Sequence, residues 1–585
     1  MSARHAPPNA VASRRRAARL GAASLLLAGL ACGIGMRHAQ AQTQQIESTT
    51  LTPTQNPCTR CERDGDATAQ AVPGAPTQAL PPLPAGSQAA SFRLADVRLK
   101  GANALPAEQI RPAIEPYIGR DVTLSDLEAM AGAITQIYRD SGYFLAQAVV
   151  PVQKVEGGVV EISVIEGRLR QVNVNVAPDA PIKEERVRAF LQALPPGGAL
   201  DLRRYERAML LLSDQPGIRV SSSLQEGAQS GTTDLTVEVV AAPRWEFAVD
   251  ADNHGTEETG RYRLGGLARW LSPFGIGDNI DLRLIAADSS GMVFGRASYE
   301  APIGASGLRA GVGIAHVQYE LGGDFADLDA HGTADIVDAS LNYPVIRSRR
   351  QNLFLRLGAD MQDLSDHYDA VDYNPRKRIA GLGLGWAWEL RDDIFGGGYW
   401  DSSGTLYHGR LDLRDELTQT IDQGPNGLGT EGSFDKLTFR VSRLQAILPR
   451  HSLYLSLGGQ MASGNLDPSQ KLSLGGARAV RAYPSGELLV DEGLLGTIEW
   501  RWSLNDEVTP YVFYDAARGK VSHDPLPLGQ DNTQSLRGVG FGLAWARANN
   551  FAFNATLAWR DGTREAITDG GGHDPRLFVQ FQKFF

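Results

Sequence analysis

From about Arg244 to the final residue, apolar and polar positions alternate. Leu437, Phe439 and Val441 stand between Lys436, Thr438, Arg440 and Ser442. Ile498, Trp500 and Trp502 stand between Thr497, Glu499 and Arg501, and Val539, Phe541 and Leu543 between Gly538, Gly540 and Gly542. A period of two puts each set on its own face of a strand. About sixteen such segments fit this stretch, which is a usual number for an outer-membrane barrel. Short connections (Pro449-Arg450-His451, Asn549-Asn550) alternate with long ones such as residues 417–432. The last segment places Leu577, Val579, Phe581 and Phe585 on one face and Gln580 and Gln582 on the other, with Lys583 interrupting the apolar face. An apolar outside around a wet inside predicts a transmembrane antiparallel β-barrel of about 16 strands over 244–585. A soluble propeller or sandwich is the competing reading. The loop asymmetry, the aromatic C-terminus and the N-terminal segment described below argue against it.

Upstream the period changes. Residues 92–241 contain a repeat offset by 75 positions without a gap. Val97 and Leu99 fall on Val172 and Val174, Pro106 on Pro181, Asp126-Leu127 on Asp201-Leu202, Gly142 on Gly217, and Val159–Val164 on Asp234–Val239. Each copy reads strand, helix, helix, strand, strand. Leu127, Met130, Ile134, Ile137 and Tyr138 recur at helical spacing from about Thr123 to Arg139, and Gly142 stops that helix. A small sheet with helices on one side leaves strand edges that can receive an extended partner segment. Two packed spacers are the plainer alternative.

Residues 1–41 read as a secretory signal, with Arg14, Arg15, Arg16 and Arg19, an apolar core from Leu20 to Met36, and Ala39-Gln40-Ala41 as cleavage site. Residues 42–90 are a Pro-, Thr- and Ala-rich linker. Cys58 and Cys61 in it lack a second pair to complete a zinc site, so a small disulfide is the expected state.

The net charge of −10 argues against nucleic-acid binding. There is no His-Glu-x-x-His and no phosphate loop. Gly381, Gly383 and Gly385 share a strand face, as lumen glycines would. Asp324, Asp327 and Asp329 miss the calcium-loop spacing and read as a solvated acidic loop. No enzyme activity, metal or cofactor is implied.

Two motifs carry a family resemblance. One is Tyr117-x-Gly119-Arg120, Asp126-Leu127, Tyr138-x-x-x-Gly142-Tyr143, Pro151-x-Gln153, and Gly157 to Ile165-Glu166-Gly167. The other is Leu474-Gly475-Gly476 followed by Val480-Arg481-Ala482-Tyr483, in the long segment 464–493. With these, the mature chain resembles the outer-membrane transporters of two-partner secretion, the TpsB family. The resemblance implies a Gram-negative outer-membrane location. It implies two α+β POTRA domains in the periplasm, at 91–167 and 168–243, with Tyr117, Gly142, Tyr143, Pro151, Gln153, Glu166 and Gly167 as docking candidates. The partner implied is a large secreted β-helical protein, exported by a monomer set in outer-membrane lipid. It further implies a loop folded into the lumen, where Arg481, flanked by Val480 and Tyr483, pairs with Asp515 of Phe513-Tyr514-Asp515-Ala516-Ala517. Asp515 shares a face with Tyr511 and Phe513, which suits a lumen position. Ala482 and Ala517 stand where the family has Gly, which predicts altered local geometry if those positions need a positive φ. Residues 42–57 are a poor helix, so no stable N-terminal plug helix is expected. The rival readings are a barrel-assembly factor of the same superfamily and a passive porin.

Overall fold

A computed structural model describes residues 91–288, 291–525, 531–569 and 573–585. The signal segment, the linker, Cys58, Cys61 and the plug position lie outside the described residues.

Residues 92–167 form a three-stranded sheet in the order Asp96–Lys100, Val159–Ile165, Gln147–Val149, the first pair parallel and the second antiparallel. One long helix, Leu124–Asp140, packs on it through Leu127, Met130, Ile134 and Tyr138, the apolar stripe of its sequence. Thr123 and Asp126 close a capping box at its start. Gly142, at φ +99°, turns the chain out of it. The preceding helical segment is broken into a four-residue turn of α-helix and two 3-10 turns. Pro112 and Pro116 sit in those 3-10 turns, where each lacks an N–H to continue a helix.

Residues 168–241 repeat the plan with strands Arg168–Val176, Ile218–Glu226 and Thr232–Ala241 and helices Glu184–Leu191 and Leu202–Ser213. The parallel pairing keeps the 75-residue offset: Val97 faces Val160, and Val172 faces Leu235. The hairpin does not keep it. A strict copy of the Ala148–Val164 pair would set Ser223 against Val239, but Val220 takes that place. The gapless alignment therefore fails across the hairpin, where the longer connection in the first copy shifts the register.

The remaining strands close into a 16-stranded antiparallel barrel, the last pairing with the first from Gln580–Asp252 to Phe584–Ala248. Leu382, Leu384, Trp500, Val512, Val539 and Phe541 are exposed on the outside. Inside lie glycines and ion pairs such as Arg283–Asp250 and Arg296–Asp338. Hydrocarbon forbids unpaired backbone, and closure leaves no strand edge for it to meet. Aromatic pairs such as Trp245–Trp270 and Trp545–Phe551 gather at the rim nearer the repeats, as interfacial girdles do. At that rim Lys583 donates to Asn550 at 2.7 Å and lies 5.6 Å from the Phe585 ring centre, so its stem stays on the apolar face while its head reaches polar partners.

The second repeat docks on the same rim. Arg347 binds Asp214 through two bonds of 2.7 and 2.9 Å, Arg207 donates to the Pro344 carbonyl at 2.8 Å, and Ser272 donates to the Pro181 carbonyl.

Candidate functional site

The connection between strands His451–Ala462 and Glu492–Trp502 does not stay outside the barrel. Residues 466–471, 474–476 and 479–491 are all buried. The loop enters the lumen and returns, its limbs joined by the two-residue strands Leu472–Ser473 and Leu489–Val490. Gly475 is needed where it stands: a Cβ there would lie 2.5 Å from the Pro484 carbonyl oxygen. Gly476 has φ +123°, which a side chain would resist. Val480 donates to the Leu474 carbonyl at 3.0 Å, so the two halves of the motif close a small ring.

Arg481 sits at the tip of that ring and meets strand Val508–Lys520. Its Nε and Nη2 donate to the two Asp515 oxygens, both at 2.7 Å, and its backbone N–H adds a 3.2 Å bond to the same carboxylate. Its Nη1 donates to Glu499 at 2.7 Å. Thr497 donates to Asp515, and Arg501 holds the other Glu499 oxygen. The guanidinium lies 3.4 Å from the Phe513 ring centre. A planar cation with five donors suits this two-carboxylate, one-ring cage, and lysine does not. Tyr511, Phe513 and Asp515 are buried while Val512 and Tyr514 are exposed, so the strand's alternation aims Asp515 into the lumen.

The alternation put Thr497 and Glu499 on the lumen face but gave no sign that they meet Arg481. Only the loop's return into the barrel connects them. Ala482 and Ala517 are accommodated here without backbone strain. Neither has a positive φ, and the Ala482 methyl packs on Gly538, where an added Cβ would lie 2.6 Å away. The close approach that a tip glycine would give is supplied by the wall instead.

More bonds hold the loop elsewhere. Lys377 meets Asp467 at 2.7 Å, and Lys471 meets Asp491 at 3.0 Å. Glu487 accepts from the Ile567 and Thr568 N–H groups and from the Thr568 hydroxyl, and Ser485 donates to the His254 carbonyl. Tyr483 donates to the Arg564 carbonyl. A cavity of about 310 Å³ remains beside Ser469 and Gln470, lined by Tyr319, Asp360, Tyr407 and Lys436 among others.

The docking candidates of the first repeat are largely occupied in building it. Glu166 is 5% exposed and accepts from the Asn103 and Ala104 N–H groups and from the Tyr138 hydroxyl. Burial, and then the Glu166 charge, push the Tyr138 phenol far up, so it stays a donor. Gln153 donates to the Glu161 carbonyl and accepts from the Glu161 N–H, both at 2.7 Å, as a neighbouring strand would. Tyr143 donates to Ala104, and Gly167 lies against Leu145. The Gly142 carbonyl accepts from Leu202 N–H, linking the repeats. Tyr117 packs, half-buried, against the core. Pro151 is half-buried and its carbonyl accepts from the Gln153 amide. Glu166 thus braces the repeat: its carboxylate is buried and accepts all three bonds on one oxygen, with Arg168 3.6 Å from the other. Of the three loop aspartates, Asp329 converges with His331 and Asp369, ligand atoms within 4.8 Å of one another, rather than with Asp327.

A closed 16-stranded barrel, a loop pinned in its lumen and βααββ repeats on one rim together define an outer-membrane protein transporter. The chain belongs to the haemolysin secretion/activation protein family ShlB/FhaC/HecB, whose model matches residues 231–545. The ShlB-type POTRA domain model matches residues 92–167. The heme/hemopexin transporter protein HuxB of Haemophilus influenzae (strain 86-028NP) is 27% identical over 482 residues, covering 80% of this chain and 84% of HuxB. The outer membrane transporter CdiB of Escherichia coli O6:K15:H31 is 24% identical over 463 residues, covering 77% of this chain and 75% of CdiB. The solved structure of CdiB from Escherichia coli shares the fold, with a TM-score of 0.69 at 20% identity, covering 94% of this chain and 99% of that one. The chain is a two-partner secretion transporter of the outer membrane, with POTRA domains in the periplasm.

Proposed function

We propose that this transporter exports one large, β-helical secreted protein and that the Arg481 lock closes the route until that client arrives. The client reaches the periplasm unfolded. It pairs with open strand edges of the two POTRA domains, at 91–167 and 168–243, and threads the barrel in extended form. The edges are the better docking surface, because the motif residues of the first repeat are turned into its own fold. No nucleotide drives the step; folding of the client outside supplies the free energy. The transporter works as a monomer in outer-membrane lipid and does no enzymatic chemistry.

The observation that carries the reading is the Arg481–Asp515–Glu499 cage at the tip of a loop that fills the lumen. A passive porin has no use for such a closure or for tandem docking domains. The test compares the medium and outer membrane of a deletion strain with its parent by quantitative proteomics. Loss of a single large protein is expected. Broad depletion of barrel proteins would replace the reading with an assembly factor, and no change would favour a porin.

A further inference from the structure

The lumen loop touches the wall at a second buried ion pair that lies outside its sequence motif. Asp467, near the start of the loop, takes Lys377 Nζ on Oδ2 at 2.7 Å. The two side chains are 5% and 3% exposed. The other Asp467 oxygen accepts from the Ser469 N–H at 3.0 Å and the Ser469 hydroxyl at 2.7 Å, so a tight turn aims the carboxylate. Lys377 belongs to strand Arg376–Asp392, the eighth around the barrel, on the inward face it shares with Ile379. Asp366, buried on the neighbouring strand, accepts from the Tyr319 hydroxyl on one oxygen and has no hydrogen bond on the other among the described residues.

Arg481 grips the thirteenth strand, five strands further round. Between the two grips the limbs of the loop are braced to each other. Lys471 meets Asp491, and Gln460 donates to the carbonyls of both Gln470 and Asp491. The loop is thus a stiff strut with a buried ion pair at each of two walls, beside the neutral and Glu487 contacts described above, rather than a flap held at its tip.

We infer that Lys377 and Asp467 form a second lock, released separately from Arg481–Asp515, and that the lumen opens fully only when both are broken. A buried ammonium or carboxylate left without its partner is strongly unfavourable, so each lock favours the docked loop. Because the strut is braced, breaking the tip contact alone leaves the loop tethered across the lumen by Lys377.

This inference rests on the proposed reading of the loop as a movable closure, and the test separates the two. Full-length protein, with barrel assembly checked by heat-modifiable gel mobility, is placed in planar bilayers as wild type, Arg481→Ala, Lys377→Gln and the double variant. Secretion is scored in parallel. The double variant is expected to conduct several-fold more than either single one. Exchanging the charges, Lys377→Asp with Asp467→Lys in the Arg481→Ala background, is expected to return conductance to the Arg481→Ala level. If Lys377→Gln fails to assemble, Asp467→Asn on the loop side carries the same comparison. A double variant no more open than Arg481→Ala overturns the second lock. A fully open double variant whose secretion equals wild type leaves the second lock standing and overturns the closure reading.

Discussion

Arg481 and Asp515, 34 residues apart in the chain, meet through two parallel bonds of 2.7 Å, with the guanidinium resting on the Phe513 ring. Breaking one side of such a buried pair costs about 3–5 kcal/mol. Arg481→Ala should therefore release the loop tip, raise proteolysis within 476–486 and cut secretion, with the barrel still assembled. Arg481→Lys should fall close to the alanine variant, since one ammonium cannot serve Asp515 and Glu499 in the same fork geometry. Wild-type secretion by either variant would end the proposed role.

Thr497→Ala removes one hydrogen bond to Asp515 and should cost about 1 kcal/mol of loop docking. Glu499→Gln should cost more, because Arg481 and Arg501 both lose their charged partner there. Loop protection against protease in intact outer membranes should rank wild type, Thr497→Ala, Glu499→Gln, Arg481→Ala. Equal protection of Glu499→Gln and wild type would place Glu499 outside the cage.

Gly538 gives the Ala482 methyl its space, across the strand pair from Asp515. Gly538→Val should push the tip off the wall and mimic Arg481→Ala. Gly538→Ala should impair secretion more mildly, Ala482→Gly alone should be nearly silent, and the two combined should restore secretion. Failure of that rescue would show that the contact does not govern the tip.

Glu166→Ala leaves the Asn103 and Ala104 N–H groups without their acceptor in the first repeat. The loss should be about 3 kcal/mol, enough to open residues 92–167 to limited proteolysis while the barrel persists. Glu166→Gln should recover part of it. An unaltered digestion pattern together with lost client binding would return Glu166 to the docking surface.

Much of this molecule is readable because its solvent leaves few choices. A strand between lipid and water must alternate, so Val512, Tyr514 and Phe541 outside and Asp515 inside follow from parity alone. The tip arginine is legible only through the family resemblance carried by Leu474-Gly475-Gly476 and Val480-Arg481-Ala482-Tyr483. Glu499 had the right face but no visible partner. Lys377 and Asp467 were invisible, since 90 residues separate them and each is an ordinary charge in its local context. The pattern residues of the first repeat have a structural part that their sequence does not display. Glu166 and Gln153 stand in the motif, but their side chains satisfy backbone groups of the same repeat. The hairpin shift from Ser223 to Val220 lay beyond a gapless comparison because loop length sets register.

For a client to pass, the loop must leave its place. Cysteines at Ala482 and Gly538, in a chain with Cys58 and Cys61 replaced by serine, would tie the tip to the wall. A disulfide there needs the two Cβ positions about 1 Å further apart than the 2.6 Å contact. Secretion measured with the bond formed, and again after reduction in the same cells, decides the matter. Arrest with an assembled barrel, and recovery on reduction, are expected. Undiminished secretion with the bond in place would contradict the proposed loop movement.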